Sequence, residues 1–425
     1  MNEIGRPVVQ SPNLRSYGVV LALFILSMIT YIDRTSVSTA KDAISAALQL
    51  SDRAMGIVFS AFALGYAAMQ LPAGWLADRF GPRATLTAAV GLWSVLTALT
   101  GIAWSYHSLL AIRLLFGAGE AAVFPGSARA IRSWLKPEQR GRANGALFAG
   151  SRLGAALSYP LLVWMITLWS WRFAFFLLGL GGLVWAAGWW IWFRDLPLRG
   201  TSQVPMETHQ SGDAVAPLVS LGVPLGLAMA QYFASNFTNF ICLSWMLPYL
   251  KTQYHLSNSH AAVYSMAPLL LGATAQGVSG GMVDRMYASR LRPWSRRLPA
   301  MIGFSLAAAG LVGVTCAHTV DIAVLAFTIA IFGADMTVSP SWVFCSDIAG
   351  ARTGRLTGAM NMFGSIGALV SANAFPFLQE RTGTSSAYFW LAALLDAAGI
   401  LCWARMNSVT SRGLVAETPY LPEAL

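Results

Sequence analysis

The chain has 425 residues, of which 56% are hydrophobic and 11% are charged, and its formal net charge is +10. This charged fraction is less than half of the about 25% that is typical of soluble domains, which excludes an ordinary soluble protein. The basic residues cluster between apolar segments, as in membrane proteins, so they do not indicate nucleic-acid binding, and the four cysteines lack the spacing of a disulfide framework or metal site.

Apolar runs of about twenty residues or more, the length that crosses a bilayer, recur along the whole chain. The predicted spans are 17–40, 52–77, 83–105, 107–135, 141–168, 171–193, 217–250, 258–283, 298–317, 320–348, 354–379 and 385–405. We therefore predict an all-α membrane protein with twelve transmembrane helices. A cleavable signal peptide over 17–40 is disfavoured, because its short apolar region would not carry Asp33 and Arg34.

The spans fall into two groups of six, separated by a polar, proline-bearing segment that is typical of a linker. The predicted organisation is an N-terminal tail (1–16), a six-helix bundle (17–194), a linker (195–216), a second six-helix bundle (217–405) and a C-terminal tail (406–425). Because the number of spans is even, both termini lie on the same side of the membrane.

The distribution of basic residues predicts which side that is. With both termini in the cytoplasm, the cytoplasmic segments hold 19 of the 28 Lys and Arg residues and the outer loops hold 5. Cytoplasmic loops carry the excess of positive charge in membrane proteins. We therefore expect both tails and the linker to be cytoplasmic.

The two groups of spans also resemble each other in sequence. The segment "GRANGALFAGSRLGAAL" (141–157) aligns with "GRLTGAMNMFGSIGALV" (354–370), and "GWLADR" (74–79) has a weaker counterpart in "GGMVDR" (280–285). Parallel repeats of this kind are typical of transporters whose two bundles move about a site at the membrane midplane. Chance matching of glycines is the alternative, since small residues recur wherever membrane helices pack.

The loop after the second span reads "GWLADRFGPR" and fits the G-x-x-x-D-R-x-G-x-R pattern of the major facilitator superfamily at every specified position. The matching residues are Gly74, Asp78, Arg79, Gly81 and Arg83. The two glycines permit close packing and a turn. We expect Asp78 and the arginines to form a charge-linked latch at the inner face, which serves as a cytoplasmic gate.

Three further motifs resemble the anion:cation symporter family, which includes bacterial galactonate, glucarate and hexuronate transporters and the animal sialins. They are "YIDR" in the first span, "RLLFGAGEAAVFPG" in the fourth and "FGADMTVSPSW" in the tenth. The resemblance implies proton-coupled movement of an organic anion. It further implies that Asp33 and Glu120 take up protons, that Arg34 faces the substrate, and that Tyr66 lies near it.

Helix geometry gives an independent interpretation of the same residues. Arg113 and Glu120 are seven residues apart, so they lie on one face of the fourth span, where Arg113 can tune the carboxylate. Tyr31 and Arg34 share a face of the first span, while Asp33 is rotated by about 100°. We therefore expect Arg34 to face the cavity and Asp33 to face a neighbouring helix. Mutual neutralisation that merely holds helices together is the alternative.

Arg152 departs from the family pattern, because the galactonate transporter has a glutamine where this chain reads Ser151-Arg152. A cation near mid-membrane is costly. Arg152 therefore either pairs internally, for instance with Asp335 or Glu120, or binds a second polar group of the ligand. We favour the second interpretation and place both Ser151 and Arg152 in the predicted binding site.

Polar residues in the second half complete the predicted substrate site. They are Gln231, Asn236, Ser339, Trp342 and Asn361. Their amide, hydroxyl and indole groups suit a polyhydroxylated ligand, while ordinary hydrogen bonding between helices is the alternative for each.

These observations favour a proton-coupled symporter that takes up a small organic anion, with an aldonate, uronate or aldarate as the expected substrate. The runner-up is a proton-antiport exporter of a drug or metabolite, and the three arginines within the spans argue for an anion instead. No nucleotide-binding loop, metal cluster or nucleophile motif indicates an enzyme. We therefore expect no cofactor beyond the proton gradient, no metal, and a monomeric multi-pass protein of the cell membrane.

Overall fold

The computed structural model describes residues 14–195, 223–256 and 258–406. The regular elements in these ranges are all helices. The predicted tails and the predicted linker lie almost entirely outside the described residues.

The first half of the chain forms helices that match the predicted spans with three differences, one of which is the division of the predicted span 107–135 between two helices. The helices are α1 (Leu14–Thr39), α2 (Lys41–Leu48), α3 (Asp52–Thr100), α4 (Tyr106–Glu120), α5 (Val123–Trp134), α6 (Arg140–Leu168) and α7 (Trp171–Trp192). The short α2 occupies a segment that was predicted to be a loop. The predicted spans 52–77 and 83–105 join into the single run α3, which is interrupted only at Gly81.

The second half repeats this arrangement. Its helices are α8 (Val223–Ser244), α9 (Met246–Gln253), α10 (Asn258–Tyr287), α11 (Arg297–Thr315), α12 (Val320–Met336), α13 (Val338–Ala349), α14 (Thr353–Thr382) and α15 (Ser386–Arg405). The predicted span 217–250 is divided between α8 and α9, with its first residues outside the described ranges. The predicted span 320–348 is divided between α12 and α13.

In the described part of the chain, eight helical segments are long and apolar enough to cross a membrane. Two of them, Ala54–Thr100 and Val320–Thr382, have 47 and 63 residues. At 1.5 Å per residue they measure about 70 and 95 Å, more than twice the ~30 Å thickness of a bilayer core. Each contains a break, at Gly81 and at Gly350, where the backbone φ is positive. Each is therefore long enough to cross the membrane twice.

Gly81 forms the turn in the "GWLADRFGPR" loop. Its φ of 77° lies in a region that residues with a Cβ rarely adopt. Pro82 follows, and its fixed φ and missing N–H suit the first turn of the next helix. The carboxylate of Asp195 packs against Gly81 so closely that a Cβ there would lie 2.7 Å from its oxygen. Glycine is therefore required by both the backbone and the packing.

The helices of the fourth and tenth predicted spans break at matching places. In each pair a proline lies near the start of the second helix, Pro125 in α5 and Pro340 in α13. Pro340 has no N–H to donate to the carbonyl of Met336, four residues earlier. The Ser279 hydroxyl donates to that carbonyl instead, at 2.5 Å. A helix of the same half thus satisfies the group that the proline leaves unpaired.

The two halves meet at the end of the bundle where the 74–83 loop lies, which we call the motif end. There the carboxylate of Asp78 accepts hydrogen bonds from the backbone N–H groups of Gly354 and Arg355, at 2.7 and 2.8 Å. These groups belong to the first turn of α14. A carboxylate at the N-terminus of a helix satisfies free N–H groups and complements the helix dipole.

An acid of the second half makes the equivalent contact with a helix of the first half. Asp284, at the end of α10, accepts from the N–H groups of Gly141 and Arg142 in the first turn of α6, both at 2.8 Å. The helices cross without side chains between them, because a Cβ at Gly141 would meet the carbonyl of Gly280 at 2.5 Å. This mirror relation agrees with the predicted sequence repeat and closes the motif end.

Candidate substrate and proton site

Arg34 and Glu120 form a buried ion pair between α1 and α4. The Arg34 Nε donates to Glu120 Oε1 at 2.9 Å, and its Nη2 reaches the same oxygen. The Arg34 side chain is 23% exposed and that of Glu120 is fully buried. The second oxygen, Oε2, has no hydrogen-bond partner among the described residues. The arginine is therefore the partner that an incoming anion could reach.

Aromatic rings surround the Arg34 guanidinium. Its central carbon lies 4.7 Å from the ring centroid of Tyr31, 5.1 Å from that of Phe62 and 4.8 Å from that of Tyr66. Each distance is within the roughly 6 Å at which a cation is attracted to a ring face. The Tyr66 hydroxyl accepts from the Asn361 amide at 3.0 Å. The cluster therefore reaches across to α14 in the second half, and it unites the predicted residues Tyr31, Arg34, Tyr66 and Asn361 with Glu120.

Asp33 faces a different part of the protein, as the helix geometry predicts. It is 1% exposed, and its Oδ2 accepts from the indole N–H of Trp93 in α3 at 3.1 Å. Its Oδ1 has no partner among the described residues. Asp33 thus lies in the seam between α1 and α3, while its neighbour Arg34 faces Glu120.

Arg113 does not pair with Glu120, although the two residues lie on one face of α4. Its guanidinium lies over the rings of Phe62 and Phe116, at 5.0 and 4.7 Å from their centroids, and the residue is 3% exposed. Arg34, from another helix, takes the carboxylate instead. Any tuning of Glu120 by Arg113 therefore acts through space rather than through a direct ion pair.

Arg152 forms an ion pair within the protein, whereas the sequence analysis favours its binding to a second polar group of the ligand. Its Nη2 donates to Asp335 Oδ1 at 2.5 Å and to the Asn239 side-chain oxygen at 3.2 Å. Gln276 donates to the same Asp335 oxygen at 3.2 Å. Arg152 belongs to the first half and its three partners belong to the second. The pair therefore bridges the two halves.

Several other predicted binding residues are occupied by contacts within the protein. The side-chain oxygen of Gln231 accepts from Ser341 and from Trp403, at 3.1 and 3.2 Å. The indole of Trp342 donates to the Tyr232 hydroxyl at 2.9 Å. Gln231 and Trp342 are both fully buried. The hydrogen-bonding groups of both side chains are therefore occupied by partners within the second half.

The remaining predicted binding residues donate hydrogen bonds to backbone carbonyls. Ser339 donates to Gly141 across the halves at 2.9 Å. Ser151 donates to Phe148 in its own helix at 2.6 Å. Asn236 donates to Tyr232 at 2.9 Å and is only partly buried. Of these three residues, Asn236 keeps the greatest exposure to a possible ligand.

The latch at the motif end uses other arginines than those expected. Asp78 lies 3.9 Å from Arg129 and 3.8 Å from Arg355. Arg79 of the loop motif instead lies over the ring of Trp75, and Arg83 over that of Trp190. The expectation that Arg79 and Arg83 neutralise Asp78 was therefore wrong, because their side chains turn toward aromatic rings.

The sequence analysis missed two acidic residues at the motif end. Asp347 accepts from Arg140 at 3.0 Å and from Arg296 at 3.1 Å, which joins the two halves. Asp195 accepts from the Arg83 N–H at 3.1 Å. Partial burial raises the pKa of the Asp195 carboxyl, while this hydrogen bond and the nearby guanidinium groups lower it. The available signal in the sequence is the nearby arginines, with Arg194 beside Asp195 and Arg352 five residues after Asp347.

No group of three or more His, Cys, Asp or Glu side chains in the described ranges is arranged to hold a metal ion. The site that the structure assembles consists of arginines, carboxylates, amides and aromatic rings between two helical bundles. Ionisable groups buried between membrane-spanning helices are typical of polytopic membrane carriers.

Comparison with known proteins also indicates a membrane transporter. Residues 23–372 match the family model described as Major Facilitator Superfamily, and the chain belongs to this superfamily of membrane transporters. It is 32% identical to a "Probable sulfoacetate transporter" of Cupriavidus necator, over 89% of this chain and 90% of that one. It is 29% identical to a "Hexuronate transporter" of Bacillus subtilis, over 94% and 97%.

Among solved structures, a proton:xylose symporter bound to 6-bromo-6-deoxy-D-glucose superposes with a TM-score of 0.75 at 14% identity, over 93% of this chain and 97% of that one. This likeness establishes the all-helical transporter fold. The protein is therefore a multi-pass membrane transporter and not an enzyme.

Proposed function

We propose that the protein is a proton-coupled symporter that takes up a small organic anion of the sugar-acid class, such as an aldonate, a uronate or an aldarate. It works as a monomer with twelve spans in two six-helix bundles (17–194 and 217–405), and both termini are cytoplasmic. The bias of Lys and Arg residues and the mirrored contacts of Asp78 and Asp284 support this organisation.

The observation that carries the proposal is the ion pair of Arg34 with Glu120. A buried carboxylate holds the arginine, and the arginine is the partly exposed member. Protonation of Glu120 removes the internal anion and leaves Arg34 with a positive charge that a substrate carboxylate can neutralise. Binding of the proton and binding of the anion therefore support each other, which is the thermodynamic requirement for symport.

The surroundings of Arg34 favour a polyhydroxylated acid. Tyr31 and Tyr66 present hydroxyl groups next to the guanidinium, and Asn361 adds an amide from the opposite half. Both relatives are named for organic anions: the hexuronates of one are polyhydroxylated acids, while the sulfoacetate of the other has no hydroxyl group, so only the hexuronate relative supports this substrate class. The first of these substrates carries one acid group and the second carries two.

Asp33 serves as the second proton-coupling acid, and Arg113 tunes the site from its buried position. Asp33 is buried with one oxygen unpaired, so its carboxylate form is costly in the membrane. Among the other residues of the predicted site, Asn236 contacts the ligand. Ser151, Gln231, Ser339 and Trp342 support the helices that carry the site.

Alternating access proceeds by a rocking motion of the two bundles. In the described conformation the motif end, which we assign to the cytoplasm, is closed by the contacts of Asp78, Asp284 and Asp347. Opening this end breaks those contacts together. The loop that carries Gly74, Asp78, Arg79, Gly81 and Arg83 is our candidate for the cytoplasmic gate: Gly74 and Asp78 contact the other bundle, while Arg79 and Arg83 lie over aromatic rings.

Transport into proteoliposomes tests the proposal. With an inward proton gradient, the wild type should accumulate hexuronate or aldonate above the external concentration. Glu120→Gln and Asp33→Asn should lose this accumulation, because each lacks a titrating acid, and should retain substrate exchange without a gradient. Asp42→Asn, at an acid in the short helix α2, is the control and should accumulate normally.

The outcomes distinguish the runner-up function. An exporter that exchanges protons for substrate would accumulate substrate only when the proton gradient is reversed. Normal accumulation by both Glu120→Gln and Asp33→Asn would show that neither acid couples transport to protons.

A further inference from the structure

The membrane interior contains a second arginine–carboxylate pair, Arg152 with Asp335. Both pairs consist of a buried acid and an arginine that keeps some exposure, which is 15% for the Arg152 side chain against 1% for Asp335. The helices that carry the two arginines, α1 and α6, pack side by side, since Gly154 lies against the backbone of Met28. The two guanidinium groups thus project from neighbouring helices.

The surroundings of Asp335 make its charge depend on Arg152. Gln276 of α10 contributes a neutral amide, and Asn239 of α8 bonds to the arginine. Helix α11 packs against α12 through small residues such as Gly303 and Gly310. Among the described residues, Arg152 is the charged group that faces Asp335. Without it the carboxylate would lie in the membrane with no cation, which is costly unless the group is protonated.

The second oxygen of Asp335 confirms how tightly the acid is enclosed. Oδ2 has no hydrogen-bond partner among the described residues, and it packs against the α-carbon side of Gly272 in α10. A buried carboxylate with an unpaired oxygen is less stable than a fully bonded one. Asp335 can therefore be protonated, and so release Arg152, with little change in the surrounding structure.

We propose that Arg152 forms a second anion subsite, which Asp335 occupies in the empty carrier and which the second acid group of a dianionic substrate occupies in the loaded carrier. This inference rests on the proposed function of the Arg34 site. When the second acid group binds Arg152, Asp335 leaves the arginine and takes one proton from the solution to which the cavity is open. On release of the substrate, Asp335 gives up that proton and pairs with Arg152 again.

The proton balance distinguishes the two substrate classes. A monoanion engages Arg34 and leaves the pair of Arg152 with Asp335 intact. A dianion carries one more negative charge and brings one additional proton on Asp335. The net charge that crosses the membrane in one cycle is then the same for both, so the membrane potential drives both equally. Asp335 thereby becomes a specificity-determining residue that couples a second acid group to a further proton.

The experiment compares D-galactonate with galactarate, which differ only in whether the sixth carbon is a hydroxymethyl or a carboxylate group. Binding of each to the purified, full-length protein is measured by calorimetry, and proton uptake is measured with an indicator dye in weak buffer. In the wild type, the protein should take up one more proton when it binds galactarate than when it binds D-galactonate. This comparison needs no variant, so it does not depend on whether a mutant folds.

Variants assign the additional proton. Asp335→Asn should bind galactarate with the same proton uptake as D-galactonate, because the titrating group is gone. Arg152→Gln should weaken galactarate binding about tenfold or more and leave D-galactonate within a few-fold. Asp396→Asn is the matched control, since Asp396 is a fully buried acid whose Oδ2 accepts from the Thr238 hydroxyl at 2.9 Å. It should change neither proton uptake nor ligand preference.

Equal proton uptake for the two acids in the wild type would overturn the proposal. So would unchanged ligand preference in Arg152→Gln with only a loss of thermal stability, which would make the pair purely structural. If D-galactonate binds through Arg34 while these results appear, the proposed function stands and only the second subsite fails. If neither acid nor any other sugar acid binds, the proposed function and this inference fail together.

Discussion

The two halves of the molecule are alike where they touch each other and unlike where they surround the membrane interior. At the motif end, Asp78 and Asp284 make the same pair of hydrogen bonds to the first turn of a helix in the opposite half. In the interior, Arg34, Glu120 and Arg152 belong to the first half, while the second half contributes Asp335 together with amides and aromatic rings. Repetition is thus retained in the contacts that join the two halves at the motif end.

This difference shows that the two kinds of contact have different physical requirements. In the proposed rocking motion both latches open together, so we expect them to have similar strengths. In the proposed substrate site, a charged wall suits the acid group of the ligand and a wall of hydrogen-bonding groups suits its hydroxyl groups. The predictions below test this division of roles.

The largest effect is expected at the charged wall. Arg34→Lys removes the planar fork that can bind both oxygens of a carboxylate, which a lysine cannot reproduce. Loss of a charged hydrogen bond is worth about 1.5–3 kcal/mol, so the dissociation constant for a sugar acid should rise about 10- to 100-fold. Calorimetry on the purified protein measures this. Arg172→Lys, at an arginine outside the proposed site that lies over the ring of Trp171, is the control and should stay within a few-fold. Equal losses of affinity in both variants would show that Arg34 has no particular role in binding the substrate carboxylate.

An intermediate effect is expected at the latches. Asp78→Asn and Asp284→Asn each remove a carboxylate from a helix N-terminus, an interaction worth about 0.3–2 kcal/mol. Each should shift the carrier toward the conformation open at the motif end, by a similar factor. Spin-label distances across that end would report the shift, with the exposed Glu138→Gln as control. A large shift in one variant and none in the other would contradict the equivalence of the two halves.

The smallest effect is expected at the polar wall. Asn361→Ala removes the neutral hydrogen bond to Tyr66 and should weaken ligand binding by about 1 kcal/mol, or fivefold. Gln231→Ala, which leaves the buried indole N–H of Trp403 without its acceptor, should instead lower the melting temperature and leave affinity unchanged. Measuring both affinity and melting temperature separates the two residues. A loss of affinity in Gln231→Ala would return that residue to the binding site.

Much of this arrangement could be predicted from the sequence, because helix periodicity and apolar run length depend on local residues. The opposed directions of Asp33 and Arg34 follow from their 100° separation on one helix. The partner of Glu120 could not be predicted in the same way. Arg113 shares its helix face, yet Arg34 from another helix pairs with it, and the packing angle that decides this is not encoded in spacing.

The predictions for the second half were less accurate for a related reason. Gln231 and Ser339 belong to helices that are largely apolar around their circumference, so the sequence does not show which face turns toward the cavity. The partners of Asp78 illustrate a different limit. Arg79 is adjacent in sequence, but it lies over Trp75, because an exposed arginine stem gains more from an aromatic ring than from bending back along its own helix.

The glycine crossings at the motif end have a consequence for how this protein tolerates mutation. Gly74 packs against Gly354, and Gly141 against Gly280, with backbone touching backbone in both places. Even a single methyl group at one of the four positions would act as a wedge that keeps the bundles apart. In a survey of all single substitutions, the changes of these glycines to alanine should therefore be among the most damaging, although the positions lie far from the proposed ligand site. Because the crossing occurs twice in the molecule, four glycines carry this constraint.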